Sequence, residues 1–125
     1  NEVIDKTRLF IKCKGSVGIG TTSPDNGYLL DVRGAAHFCK VVVKSPGWCD
    51  FVFDNNYRLM PLNELKSYLE ANKHLPGIPS EKEVQENDID LAKMNKLLLQ
   101  KVEELTLYIL QQQEEIEKLK SKYYE

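Results

Sequence analysis

The stretch from Asp90 to Glu125, DLAKMNKLLLQKVEELTLYILQQQEEIEKLKSKYYE, contains neither glycine nor proline. Leu91, Leu98, Leu105 and Leu119 recur at one heptad position, d, with Gln112 in the same series. Asn95, Val102, Ile109 and Ile116 fill the companion position, a. An apolar residue at a mean spacing of 3.5 lays one stripe along a helix, and that stripe leaves water only by meeting another helix. The spacing predicts a seam of roughly 35 residues, about 50 Å of helix at 1.5 Å per residue. Asn95 and Gln112 interrupt it with polar groups, which cost stability and commonly fix register and strand number. Nothing else in the chain is large enough to cover so long a stripe, so self-association is expected.

The number of partners is less plain. Valine and isoleucine at a with leucine at d favour a parallel dimer. Met94, Leu97, Leu99, Leu107, Tyr108 and Leu110 flank the seam and widen the apolar face beyond what one partner helix would bury. Part of that width could instead pack on a short helix predicted over 61–72. The residues alone leave the choice open.

That short helix opens at Pro61, where a missing N–H costs nothing, and carries Leu62, Leu65 and Leu69 on one face. The run His74-Leu75-Pro76-Gly77-Ile78-Pro79 then excludes helix, with two prolines and a glycine in six residues. His74, just past the helix end, is expected to bind the last carbonyls, since no nucleophile or carboxylate is placed to make it catalytic. Ser80-Glu81-Lys82-Glu83 reads as a capping box.

Residues 1–60 read differently. Short extended runs are predicted over Thr7–Lys12, Val17–Ile19, Tyr28–Val32, Ala36–Lys44 and Asp50–Phe53, broken by turns. They contain too few apolar residues to close a sandwich of their own, and strands this short and this rich in glycine need a partner surface. Within them GSVGIGTT (15–22) comes close to the phosphate-binding pattern G-x-x-x-x-G-K-[ST]. Thr21 stands where the lysine is needed, and turn residues follow in place of a helix. The alternative is a strand whose Gly18 and Gly20 lie where another backbone approaches closely. No cofactor is expected.

Composition narrows the function classes. A net charge of −2 offers no basic face for nucleic acid, and no apolar run is long enough to span a membrane. Residues 81–125 carry eleven Asp/Glu against seven Lys/Arg, the look of a solvated helix exterior. The three cysteines, Cys13, Cys39 and Cys49, suit free buried thiols in a protein assembled in a reducing compartment better than a disulfide framework. His37, Cys39, Cys49 and His74 match no common zinc spacing, so no metal is expected. The chain opens at Asn1 without methionine, as a fragment or processed product would.

The segment Val17-Gly18-Ile19-Gly20-Thr21-Thr22-Ser23-Pro24, followed by Leu30-Asp31-Val32-Arg33-Gly34, resembles the VGIGT-SP…LDV-G element of phage tail-fibre and tail-spike-like proteins. Trp48–Phe53, His74–Ser80 and Leu98–Tyr108 resemble, in the same order, the ends of many such proteins. The resemblance implies a parallel homotrimer about a threefold axis. On it the fold is α+β: short interwound β segments near the axis (1–60), a short helix and turn (61–89), then a parallel coiled coil (90–125), together elongated. The implied interface residues are Gly18, Gly20, Leu91, Asn95, Leu98, Val102, Leu105, Ile109, Gln112, Ile116 and Leu119. The implied role is structural, a trimerisation and assembly module of a virion tail fibre that supports host attachment, not an enzyme. Its implied partners are its own copies, an upstream fibre or baseplate protein and a host cell-surface receptor. Some relatives are self-cleaving chaperones using a serine and a lysine, but no Ser-Asp-x-Arg-x-Lys element is present here. A stalk of a bacterial surface adhesin is the other alternative.

Overall fold

A computed structural model describes residues 9–13, 15–44, 47 and 50–123. It is α+β: three strands, one 3-10 turn and three helices in chain order. The chain divides into two compact units, Asn1–Val42 and Val43–Glu125.

The first unit holds a three-stranded sheet in the order β1-β2-β3, with β1 Leu9–Ile11, β2 Val17–Ile19 and β3 Leu30–Val32. The β1–β2 pair is antiparallel, with Phe10 opposite Gly18. Its turn closes through the Gly15 amide donating to the Lys12 carbonyl at 2.8 Å, and Gly15 supplies the left-handed φ of 89°. The β2–β3 pair is parallel, with Gly18 opposite Asp31. The connection between them folds over the sheet and is pinned at three points. Lys12 Nζ donates to the Pro24 carbonyl at 2.8 Å, the Asp25 amide donates to Asp31 Oδ2 at 2.9 Å, and the Pro24 ring is buried. No helix follows Gly20, so the strand–loop–helix setting of a phosphate loop is not formed there.

Gly18 and Gly20 are required by this arrangement. A Cβ on Gly18 would stand 2.6 Å from the Thr21 carbonyl oxygen, and one on Gly20 would stand 3.1 Å from that of Arg33. Gly20 also takes a φ of 72°. The close backbone approach expected at these glycines is therefore made inside one chain. Gly18 and Pro24 are the only buried residues described between Leu9 and Val42. Among the described residues the sheet buries no apolar side chain but Pro24.

Two predicted strands are corrected. Ala36–Lys44 forms no strand among the described residues, although its sequence is strand-like. Asp50–Phe53 is a 3-10 turn. Three consecutive apolar residues there, Phe51-Val52-Phe53, lack the alternation of a half-buried strand. Curling them lets Val52 go 1 % exposed beneath the long helix, while Phe51 packs its ring 5.8 Å from that of Tyr57.

In the second unit, α1 spans Leu62–Asn72, one residue later than predicted, because Pro61 takes the cap position with an extended ψ of 143°. Lys73 ends it in the left-handed region, its amide donating to the Leu69 carbonyl at 3.0 Å. That backbone bond does the work expected of His74, whose ring instead sits edge-on to Tyr68 at 5.9 Å. The capping box forms as read: Ser80 accepts from the Glu83 amide and Glu83 accepts from the Ser80 amide, starting α2 at Glu81–Asn87. Asp90 Oδ1 accepts from the Lys93 amide at 3.0 Å, and α3 runs Leu91–Tyr123 without a break.

Among the described residues only Pro24 in the first unit and Val52 and Tyr108 in the second are buried apolar side chains.

Candidate assembly interface

The helix α3 presents two faces with opposite fates. One is covered by its own chain. Met94, Leu97, Gln100, Lys101, Glu104, Leu107 and Tyr108, at heptad positions c, f and g, are half-buried or buried. The 3-10 turn at 50–53 packs on this face, and segment 57–60 is tied to it by a polar cluster. Tyr57 donates its hydroxyl to Glu104 Oε1 at 2.6 Å, and Gln100 Nε2 donates to the same oxygen at 3.0 Å. Lys101 Nζ lies 2.7 Å from Glu104 Oε2. Tyr108 donates its hydroxyl to the Met60 carbonyl at 2.6 Å. Each half-buried polar group named here thus has a partner.

The physical chemistry of this clamp sets a pH window. Burial pushes the Glu104 carboxyl up, but the Lys101 ammonium and the Tyr57 and Gln100 donors outweigh it and hold the group below the usual carboxylate range. Burial, and then the bond to Glu104, pushes the Tyr57 hydroxyl up, and burial does the same for Tyr108. A lowered carboxylate pKa stabilises the fold above the free value of 4.5, and that contribution is lost as pH falls through the folded value. A raised tyrosine pKa stabilises below the free value of 10.0 and is lost as pH rises through the folded value. Docking of 50–60 on α3 should therefore hold between these limits and loosen outside them. Spectrophotometric titration should show two of the tyrosines ionising later than free tyrosine, and Glu104→Gln should bring Tyr57 back toward the ordinary value. Uniform titration of all tyrosines would contradict the clamp.

The other face is bare. Val102, Leu105 and Ile109 are 57, 57 and 63 % exposed, and Leu91, Leu98, Ile116 and Leu119 are exposed as well. Asn95 and Gln112 stand exposed in the same row. All nine residues predicted for the seam therefore share one open stripe on a continuous helix. Gly18 and Gly20 lie in the other unit, on and just after β2.

The surplus width noted in the sequence divides cleanly. Met94, Leu97, Leu99 and Leu107 are half-buried and Tyr108 is buried within the chain, Met94 beside His74 and Ile78 and Tyr108 against Met60, while Leu110 is 55 % exposed. The Tyr57–Glu104 and Tyr108–Met60 contacts carry no local signature in the sequence. Their only trace was a second stripe at Met94, Leu97, Lys101, Glu104 and Tyr108, spaced by threes and fours off the seam.

Elsewhere, a groove of about 390 Å³ is lined by His74, Ile78, Glu83, Asp90, Lys93 and Met94. Its carboxylates are already engaged, Glu83 in the capping box and Asp90 at the start of α3. Among the described residues no cluster of three or more His, Cys, Asp or Glu is placed to hold a metal; Cys13 and Cys39 are free but exposed, not buried as expected, because the sheet gives them nothing to pack under, and Cys49 lies outside the described residues. No helix among the described residues is long and apolar enough to cross a membrane. No protein-family model, curated protein or solved structure matches this chain.

Proposed function

We propose that this chain is a structural trimerisation module of a tail-fibre-like protein, and that its α3 helices form a parallel coiled coil with copies of themselves. The observation that carries the reading is the division of α3 into a face packed by its own chain and an exposed a/d stripe. A helix that merely covered its own domain would turn its heptad stripe inward. This one turns it out.

Parallel, in-register pairing suits the side chains along the stripe. It sets Asn95 beside Asn95 and Gln112 beside Gln112, so that polar groups meet polar groups instead of being buried against leucine. It also brings Glu115, at g, opposite Lys120, at e, of the next helix, an attractive pair. The choice of three chains over two rests on the resemblance to fibre proteins, since valine and isoleucine at a with leucine at d suit a dimer. An upstream fibre segment, a host receptor and a place in a virion belong to the same proposal.

Stoichiometry tests it directly. Chains carrying a long and a short tag, unfolded together and refolded, should give two mixed species between the pure ones. One mixed species would make the assembly a dimer, and none would leave the stripe without the partner proposed.

A further inference from the structure

Asn26 is the one asparagine of the chain that is followed by glycine. The backbone nitrogen of the residue after an asparagine is a nucleophile toward its carboxamide carbon, and glycine leaves that approach free of a side chain. Both residues are exposed, and among the described residues nothing lies within 4 Å of the place a Gly27 side chain would take. The turn that carries them closes through the Tyr28 amide, which donates to the Asp25 carbonyl at 3.2 Å.

Two charged side chains are set on the reacting atoms. The Gly27 amide, which carries the proton that the nucleophile must lose, donates to Asp25 Oδ1 at 3.3 Å. Lys12 Nζ donates to Asn26 Oδ1 at 3.2 Å, the oxygen on which negative charge develops when the carboxamide carbon is attacked. Lys12 is half-buried and fixed by a second bond, to the Pro24 carbonyl at 2.8 Å. A base on the nucleophile and a cation on the developing oxyanion are the two aids that such a ring closure needs.

We propose that Asn26 is a self-modification site, deamidated by its own loop with Asp25 as the base and Lys12 as the support for the oxyanion. Asp25 takes the Gly27 amide proton as that nitrogen bonds to Asn26 Cγ, closing a succinimide ring. The proton passes on to Nδ2, the Cγ–Nδ2 bond breaks and ammonia leaves. One water then opens the ring and leaves aspartate or isoaspartate at position 26. No other reactant enters. The net charge becomes one unit more negative than −2. In the aspartate product the new carboxylate meets Lys12, an ion pair that ties the turn more firmly over Gly18 and Pro24. The isoaspartate product puts an extra methylene into the main chain and breaks the turn bond between Tyr28 and Asp25. The charge and rigidity of this loop therefore change with the age of the chain, whether or not the chain assembles.

The whole chain and a free peptide of residues 21–30 are incubated side by side at neutral pH, and peptide mapping by mass spectrometry follows the loss of Asn26. The folded chain should lose it at least about tenfold faster than the peptide, with the other asparagines intact. Any smaller ratio, including the slower rate that a turn merely shielding the amide would give, overturns the inference. Asp25→Asn keeps an acceptor for the Gly27 amide but no base, and should bring the rate down to that of the peptide. An unchanged rate in Asp25→Asn overturns the inference as well.

Discussion

Ile109→Asp should leave the chain monomeric at micromolar concentration and should also strip protection from the distant sheet. Ile109 lies mid-seam, 63 % exposed in one chain. In the assembly it loses that exposure, and burying such a side chain fully is worth about 1.5–3 kcal/mol. Aspartate forfeits this in every chain and adds a like-charged layer whose desolvation costs several kcal/mol per ion. The effect reaches β1–β3 because the strands are three residues long and, among the described residues, only Gly18 and Pro24 are buried there. Bringing copies together costs roughly 4–15 kcal/mol for each association. A helical seam can supply this and then hold the strands at high effective concentration. Amide exchange of 17–19 and 30–32 in Ile109→Asp would report the coupling. Full protection there in a monomeric variant would make α3 a tether, with the sheet folding alone. Lys118→Asp, off the seam, should leave assembly intact.

Gly18→Val should abolish the β2–β3 pairing. The new Cβ would meet the Thr21 carbonyl oxygen at 2.6 Å, Thr21 Cγ2 at 3.0 Å and Pro24 Cδ at 3.4 Å. The nearest atom is backbone, so relief requires the 20–25 turn to lift. Lifting it would draw out Pro24, whose carbonyl holds Lys12, and Asp25, whose amide holds Asp31. Overpacking of this kind costs about 1–3 kcal/mol or more. A sheet with only Gly18 and Pro24 buried has little to set against it. Gly27→Ala is the control, since nothing lies within 4 Å of the added methyl. Thermal unfolding should show Gly18→Val losing the first unit's transition and Gly27→Ala keeping it. Equal behaviour of the two would mean that the turn does not cover Gly18 as described.

The parts that were legible in the sequence are those fixed by local spacing. The α3 stripe shows in the heptad recurrence of Leu91 to Leu119, the start of α2 in Ser80 and Glu83, and β2 in Val17–Ile19. Failures came where the deciding contact is remote in the chain. Tyr57 meets Glu104, and Tyr108 meets Met60, across nearly fifty residues, and no periodicity links them. Val52 was read as a strand residue because β propensity reflects packing on a pleated surface, and α3 supplied a different surface. Ala36–Lys44 was read as a strand for the same compositional reason, yet among the described residues its backbone makes no ladder hydrogen bond. The glycine motif was readable as a site of close approach, but not that Thr21 and Arg33 of the same chain would be the ones to approach.

The central claim is that the open a/d stripe of α3 holds three copies together. Light scattering coupled to size-exclusion chromatography measures that without reference to shape. A single species of three times the 14.4 kDa chain mass is expected, persisting through dilution into the micromolar range. A species of 14.4 kDa at that concentration would contradict it.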